Sequence, residues 1–82
     1  MDFIITMSKN IDTSGQFIEF YKKKGDYLVS LSENHFKNLE YRKCLELLNQ
    51  AYSMYMKGNY SELAERTKQR FMEIKEKYLK RE

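Results

Sequence analysis

Proline and tryptophan are absent from the 82-residue sequence, and glycine occurs only three times. Because proline and glycine are the residues that most disfavour a helical backbone, their scarcity favours a mostly helical chain. It also excludes collagen-like and proline-rich low-complexity proteins. Seven tyrosines and five phenylalanines argue against simple disorder, since these side chains can form one small core.

Cysteine and histidine occur once each, as Cys44 and His35. A single cysteine cannot form an internal disulfide, and Cys44 lies on an apolar stripe, so we expect a buried thiol in a reduced chain. A closed zinc site needs four such ligands, so no metal site is expected. A cysteine–histidine nucleophile also needs a third, orienting group, and none is indicated. The sequence therefore predicts no enzymatic activity and no cofactor.

Long apolar runs are also missing, because no window of 18 residues is apolar throughout and a membrane span is not expected. The first residues include an acidic second position and only a short apolar run, unlike a secretory signal. These features indicate a cytoplasmic protein. The net charge of +3, from 15 basic and 12 acidic residues, is a mild excess for a small domain.

Apolar periodicity and capping residues divide the first half of the domain. Thr13 is the predicted N-cap of a first helix over 13–24, since it begins a capping box. Gly25 is expected to end that helix, and Asp26 to cap a second helix over 27–37. The alternative is one helix that continues through Gly25, at a cost of about 1 kcal/mol.

The second half shows the clearest helical pattern. Apolar side chains recur at helical spacing over 40–57, and Gly58 closes that helix as its C-cap. Asn59 is the predicted N-cap of a last helix that runs to the chain end. Short connections force antiparallel neighbours. Residues 13–82 are thus predicted to be an all-α, three- to four-helix antiparallel bundle of αα-hairpins, preceded by a flexible or clip-like segment over 1–12.

Two of these helices carry a second apolar stripe beside the main one. Leu47 and Met54 form it on the third predicted helix, and Met72 and Leu79 form it on the last. Either the helix over 13–24 packs over both stripes, or they line an open groove for a partner helix or a second copy. The candidate partner-binding residues are Leu47, Met54, Arg70, Met72, Lys75, Glu76 and Leu79.

The helix over 40–57 resembles the second half of a tetratricopeptide-type hairpin, with Cys44, Leu45, Leu48, Ala51 and Tyr52 in the places of that pattern. One such repeat cannot bury its own apolar face, and no second copy occurs at a period of 34 residues.

Over 26–82 the chain also resembles a microtubule-interacting and transport (MIT) domain. The ending Tyr78, Leu79, Lys80, Arg81, Glu82 is similar to that family's last helix but lacks its alanine, and Cys44 replaces another usual alanine. The resemblance implies a three-helix bundle that binds short helical or extended peptides of ESCRT-type filament proteins in grooves beside the last helix. Met72 and Leu79 would lie on such a groove.

Three functions follow from these patterns. The first is a small non-catalytic protein-protein interaction module, an adaptor or regulator, that binds a partner helix or peptide in an apolar groove. The second is a small nucleic-acid-associated regulator, which the lysine run 22–24 and the basic residues Arg66, Lys68 and Arg70 favour. The third is a homo-oligomeric structural bundle, possible as a homodimer, in which the apolar stripes meet their own copies.

Overall fold

The computed structural model describes the backbone of residues 10–79 and the side chains of residues 17–79. Its helices are α1 (Asn10–Lys37), α2 (Tyr41–Lys57) and α3 (Ser61–Tyr78). The described residues contain no strand, so the predicted all-α bundle is confirmed, with three helices. The predicted flexible or clip-like segment falls largely outside the described residues, since only 10–12 of 1–12 are included, within α1.

The central helix of the bundle is α2, which packs against both α1 and α3. Two turns of three residues, 38–40 and 58–60, reverse the chain, so consecutive helices are antiparallel. Small and aliphatic side chains fill the interfaces on both sides of α2. One buried cluster contains Leu28, Leu47, Ala51, Tyr55 and Ala64, and the other contains Cys44, Leu48 and Ile74.

The α1 helix continues without interruption through Gly25. The expected division into helices over 13–24 and 27–37 is therefore wrong, and the alternative of one helix is confirmed. Gly25 is buried, and the ring of Tyr55 from α2 lies directly against its backbone. A Cβ atom placed on Gly25 would lie 2.6 Å from Cε1 of Tyr55. The glycine thus serves close helix packing, because no larger residue leaves room for the ring.

A hydrogen bond completes this contact between α1 and α2. The Tyr55 hydroxyl donates to Oδ1 of Asp26 at 2.5 Å, and Nζ of Lys22 donates to the other carboxylate oxygen at 3.0 Å. Burial, together with the carboxylate beside it, raises the pKa of the Tyr55 phenol above its usual 10.0. The bond from Tyr55 and the ammonium of Lys22 lower the pKa of Asp26, although burial opposes them. The bond therefore favours a protonated tyrosine and an ionised aspartate.

The predicted N-caps do not hold. The α1 helix begins at Asn10, so Thr13 and Asp26 both lie inside it. The N-cap of α3 is Tyr60, whose side chain makes no capping hydrogen bond. Asn59 instead adopts a left-handed conformation, with φ of 65°. An asparagine tolerates that conformation well, so it suits the turn before the helix rather than the cap itself.

Both turns close in the Schellman manner, with a left-handed residue directly after the helix C-cap. Leu39 and Asn59 occupy this position, each with φ of 65°. In the first turn the Glu40 amide donates to the His35 carbonyl at 2.9 Å, and an equivalent bond closes the second turn. These bonds satisfy helix-end carbonyls and hold both reversals to three residues.

Gly58 is the C-cap of α2, as predicted, but its φ of −93° needs no glycine. Glycine is required at this position because neighbouring side chains leave no room for a Cβ atom. A Cβ atom on Gly58 would lie 2.8 Å from the ring of Tyr60 and 3.2 Å from Cβ of Tyr21. Gly58 therefore lets the second turn approach α1 beside Tyr21.

The opposite end of the bundle joins α1 to α3. Arg70 donates from Nε and Nη2 to the two carboxylate oxygens of Glu33, at 3.1 and 3.2 Å. Its guanidinium group lies 4.8 Å from the ring centre of Phe36. The Phe36 ring packs edge-on against Tyr78, and Tyr78 stacks on Tyr41 at 4.5 Å between centroids. All three helices therefore meet at this end.

The replacement Gly25→Ala is expected to destabilise the protein, although alanine is the better helix former by about 1 kcal/mol. The added methyl group overlaps the Tyr55 ring, so the ring must move and leave Asp26. We expect the free energy of unfolding to fall by about 1–3 kcal/mol, measured by urea denaturation followed by circular dichroism. Ser30→Ala, at an exposed position of α1, is the matched control and is expected to be neutral or mildly stabilising. A Gly25→Ala variant as stable as wild type would contradict this packing.

The replacement Tyr55→Phe is expected to cost about 1 kcal/mol near neutral pH, because it removes the hydrogen bond to Asp26. The raised pKa of Tyr55 means that its contribution is complete below pH 10.0 and is lost as the pH rises further. The lowered pKa of Asp26 means that the same contribution is complete above pH 3.8 and is lost as the pH falls. Unfolding free energies of both proteins across the pH range should therefore converge at both extremes. A constant difference at every pH would contradict the pairing.

Candidate interaction groove

A groove runs along the surface between α2 and α3, and we call it the α2–α3 groove. Its length is set by the α3 residues from Lys68 to Leu79, which span about 16 Å along the helix axis. This length matches three turns of a helix. The side chains that line it are Arg42, Leu45, Glu46, Leu48, Asn49 and Tyr52 of α2, and Thr67, Lys68, Phe71, Met72, Lys75 and Leu79 of α3.

The floor of the groove is apolar. Leu48 is 1% exposed and belongs to the core, and Phe71 packs against the same cluster while remaining half-buried. The most enclosed part, about 250 Å³, lies over these two side chains, between Tyr52 and Met72. Met72 is 48% exposed. A partner's apolar side chain could therefore enter here and contact the core directly.

The groove is open because α1 covers only one flank of α2. The flank that contains Leu47 packs in the cluster with Leu28 of α1. The opposite flank contains Leu45 and Tyr52, which pack against the edges of the two core clusters and remain half-buried. The exposed apolar surface therefore lies on the side of α2 away from α1.

The candidate residues are split among three environments. Met72, Lys75 and Leu79 line the α2–α3 groove, as expected of an interaction surface beside the last helix. Arg70 is bound to Glu33 and ties α3 to α1. Glu76 lies with Arg70 and Met72 around a shallow depression on the outer face of α3.

The prediction that Leu47 and Met54 line an open groove is wrong. Leu47 is only 6% exposed, and Met54 is half-buried against the same core cluster. The cover is the second half of α1, through Leu28 and Leu31, and not the expected segment over 13–24. The second apolar stripe of α2 is thus a packing surface for α1.

Helical spacing alone predicts that several of the groove residues belong to the core. Leu45, Tyr52 and Phe71 lie on main apolar stripes, and periodicity does not show that α3 leaves them half exposed. The spacing of residues on α3 does indicate part of the groove surface. Lys68 and Lys75 alternate with Met72 and Leu79 at spacings of four, three and four, which places all four on one helix face.

Cationic side chains dominate the rim of the groove. Lys68 and Lys75 lie on the α3 side, and Arg42 lies on the α2 side. The acidic residue of the rim, Glu46, pairs with Lys43 at 3.3 Å. The α3 side of the rim, with Lys68 and Lys75, therefore complements an acidic ligand.

The basic residues near the groove do not form one continuous patch. Arg66 forms an ion pair with Glu62 at 3.6 Å, and Arg70 is neutralised by Glu33. On α1, Lys22 pairs with Asp26. Phosphate binding along a nucleic acid needs adjacent cations that face one way, and these residues are directed to separate carboxylates.

Cys44 and His35 lie in different environments. Cys44 is fully buried, as predicted, and its burial raises the pKa of the thiol, which disfavours the nucleophilic thiolate. His35 is half-buried, with Nδ1 2.6 Å from Oε1 of Glu40 at the first turn. Among the described side chains, no three of histidine, cysteine, aspartate and glutamate cluster in a way that could hold a metal ion. None of α1, α2 and α3 combines the length and apolar composition of a bilayer span.

Comparisons with known proteins add no assignment: no family profile matches the chain, and no curated protein or solved structure matches it either. The resemblances to MIT domains and to tetratricopeptide-type hairpins therefore remain hypotheses.

The two apolar stripes can be distinguished by stability. Leu47→Ala should lower the free energy of unfolding by about 2–4 kcal/mol, because Leu47 is buried between α1 and α2. Met72→Ala should change it by no more than about 0.5 kcal/mol, because Met72 lies on the groove surface. Urea denaturation of both variants beside wild type measures the difference. Equal losses would show that Met72 is part of the core and that the groove is closed.

Proposed function

We propose that the chain is a small, non-catalytic protein-protein interaction module that binds a short helical or extended segment of a partner in the α2–α3 groove. The observation that carries the proposal is the apolar floor of Leu48 and Phe71, which is open to a partner between two helices. Exposed apolar surface beside a core is typical of helix-in-groove recognition. An adaptor or regulator of this kind in the cytoplasm is also consistent with the buried thiol of Cys44.

The dimensions of the groove favour a short ligand. About 16 Å accommodates three helical turns, in which two or three apolar side chains on one face reach the floor. Met72 is a flexible side chain that can adapt to different occupants in the most enclosed part. An interface this small is below the usual size of stable complexes, so we expect binding on the order of micromolar.

Charge on the rim defines the chemistry of the segment. Lys68 and Lys75 lie seven residues apart on α3, about two turns, and both border the groove. A ligand helix with acidic side chains on its flanks would face both lysines while its apolar face contacts the floor. Such complementarity selects the partner and its orientation. The proposed ligand is therefore an acidic amphipathic segment.

The proposed ligand class can be tested without a known partner. A random 12-residue peptide library is displayed on phage and selected on the immobilised wild-type protein. We expect enriched peptides with apolar residues three and four apart and acidic residues between them. Fluorescence anisotropy with an enriched peptide should show binding at least tenfold weaker for Lys68→Glu/Lys75→Glu, because both rim charges are reversed.

The matched control is Lys37→Glu/Lys57→Glu, which changes the net charge equally at exposed positions outside the groove. It should bind the peptide within about twofold of wild type once salt screens long-range attraction. Equal weakening in both variants, or failure of any peptide to be enriched, would contradict the proposed function.

A further inference from the structure

The α2–α3 groove consists of an open part beside Lys75 and an enclosed part beside Met72. Two side chains line both parts, Asn49 of α2 and Phe71 of α3. We call this pair the groove midpoint. A segment that occupies both parts of the groove has to cross the midpoint, so it covers the carboxamide of Asn49.

The carboxamide of Asn49 is free to bind a ligand. The side chain is exposed, and within the described part of the chain it forms no hydrogen bond. Other polar groups of the groove already have partners. Glu46 accepts from Lys43 at 3.3 Å, and the Thr67 hydroxyl donates to the Leu63 carbonyl at 2.8 Å. Asn49 thus offers two N–H donors and one carbonyl acceptor at the groove midpoint.

Asparagine is also a poor choice for helix formation at this position. Asn49 is the ninth of the 17 residues of α2, so it lies far from both helix ends. In a helix interior asparagine is less favourable than leucine, lysine or glutamine, because its short carboxamide competes for backbone groups. No hydrogen bond of the side chain to another described residue offsets this cost. Such an uncompensated residue is typical of a functional surface.

Any occupant of the groove has to replace the water around this carboxamide. An apolar side chain placed over Asn49 would leave its donors and acceptor unpaired, which weakens binding about 10- to 100-fold. The backbone of a helical ligand cannot supply the missing partner, because its N–H and C=O groups bond to one another within the helix. The partner must therefore be a side chain of the ligand.

Granted the proposed function, on which this role rests, we propose that Asn49 determines specificity by pairing with an asparagine or glutamine at the centre of the apolar face of a helical ligand. A second carboxamide is the best complement, since it supplies a donor and an acceptor in one plane and forms two hydrogen bonds at once. A carboxylate has no donor for the Asn49 carbonyl, and an ammonium group has no acceptor for its N–H groups.

The pair of carboxamides also fixes where the ligand lies along the groove. Phe71, on the α3 side of the midpoint, is three residues after Lys68 and four before Lys75. An amide of the ligand opposite Asn49 therefore places acidic residues, about one helical turn to either side, near the two lysines. A ligand shifted by one turn would bring an apolar side chain onto Asn49. Single polar residues in apolar helix interfaces set the register in this way, at some cost in affinity.

Phage selection on two full-length proteins, wild type and Asn49→Leu, tests this role with one random 12-residue library. Wild type should enrich peptides with asparagine or glutamine at the centre of the apolar face. Asn49→Leu should enrich leucine, isoleucine or methionine there, with the flanking acidic residues unchanged. Because Asn49 is exposed and leucine is the better helix former, circular dichroism should show the same helix content in both proteins.

Fluorescence anisotropy then measures the preference with one enriched amide peptide and its counterpart that has leucine at the central position. Wild type should bind the amide peptide about tenfold more tightly than the leucine peptide, and Asn49→Leu should reverse this order. The control is Gln50→Leu, which removes a carboxamide from the next, exposed position of α2, outside the groove lining. It should keep the wild-type preference.

The outcomes separate this role from the proposed function. Equal preferences in wild type and Asn49→Leu would overturn the role of Asn49 and leave the groove as a binding site. Enrichment on wild type of peptides with an apolar, acidic or hydroxyl residue at the centre would overturn it too, as would a bound peptide without the NOEs of a helix. Failure of both proteins to enrich any peptide would contradict the proposed function itself, and the role of Asn49 with it.

Discussion

The contact of the Tyr55 ring with the backbone of Gly25 sets the arrangement of the whole bundle. A ring can lie this close to a helix backbone only where there is no Cβ atom, so α2 has one favoured position along α1. The hydroxyl bond to Asp26 fixes the same position through a directional interaction. Once this register is set, the second turn lies beside α1 at Tyr21, and the described part of α1 continues for eleven further residues, 10–20.

The position of the α2–α3 groove follows from the way α1 and α3 pack against α2. Among the described residues, α1 is longer than α2 and α3. α2 has two apolar flanks, and α1 covers the one that contains Leu47. On the other flank, Leu45 and Tyr52 remain half-buried, and Arg70 and the aromatic residues at the far end hold α3 to α1 as well as to α2. The α2–α3 groove therefore lies on the flank of α2 away from Leu47.

The sequence was sufficient to show which segments are helical but not how the helices contact one another. Periodicity located the helices and the buried thiol of Cys44, since these depend on neighbours three and four residues away. Gly25 was interpreted as a break because its local cost is visible, whereas the Tyr55 ring that requires a glycine comes 30 positions later. Leu47 and Met72 have the same local pattern, and only the side on which α1 packs separates a core residue from a groove residue. Of the candidate residues named from the sequence, Met72, Lys75 and Leu79 line the groove, whereas Lys68 was considered only for nucleic-acid binding.

The continuity of α1 at Gly25 is the central claim, and amide hydrogen exchange measured by NMR tests it most directly. In an uninterrupted helix the amides of residues 26–29 donate to the carbonyls of residues 22–25, in the turn against which Tyr55 packs. The structure predicts that these four amides are protected as strongly as those of residues 30–34. Exchange of residues 26–29 at unfolded rates, with 30–34 still protected, would show two helices separated at Gly25 and would contradict the account.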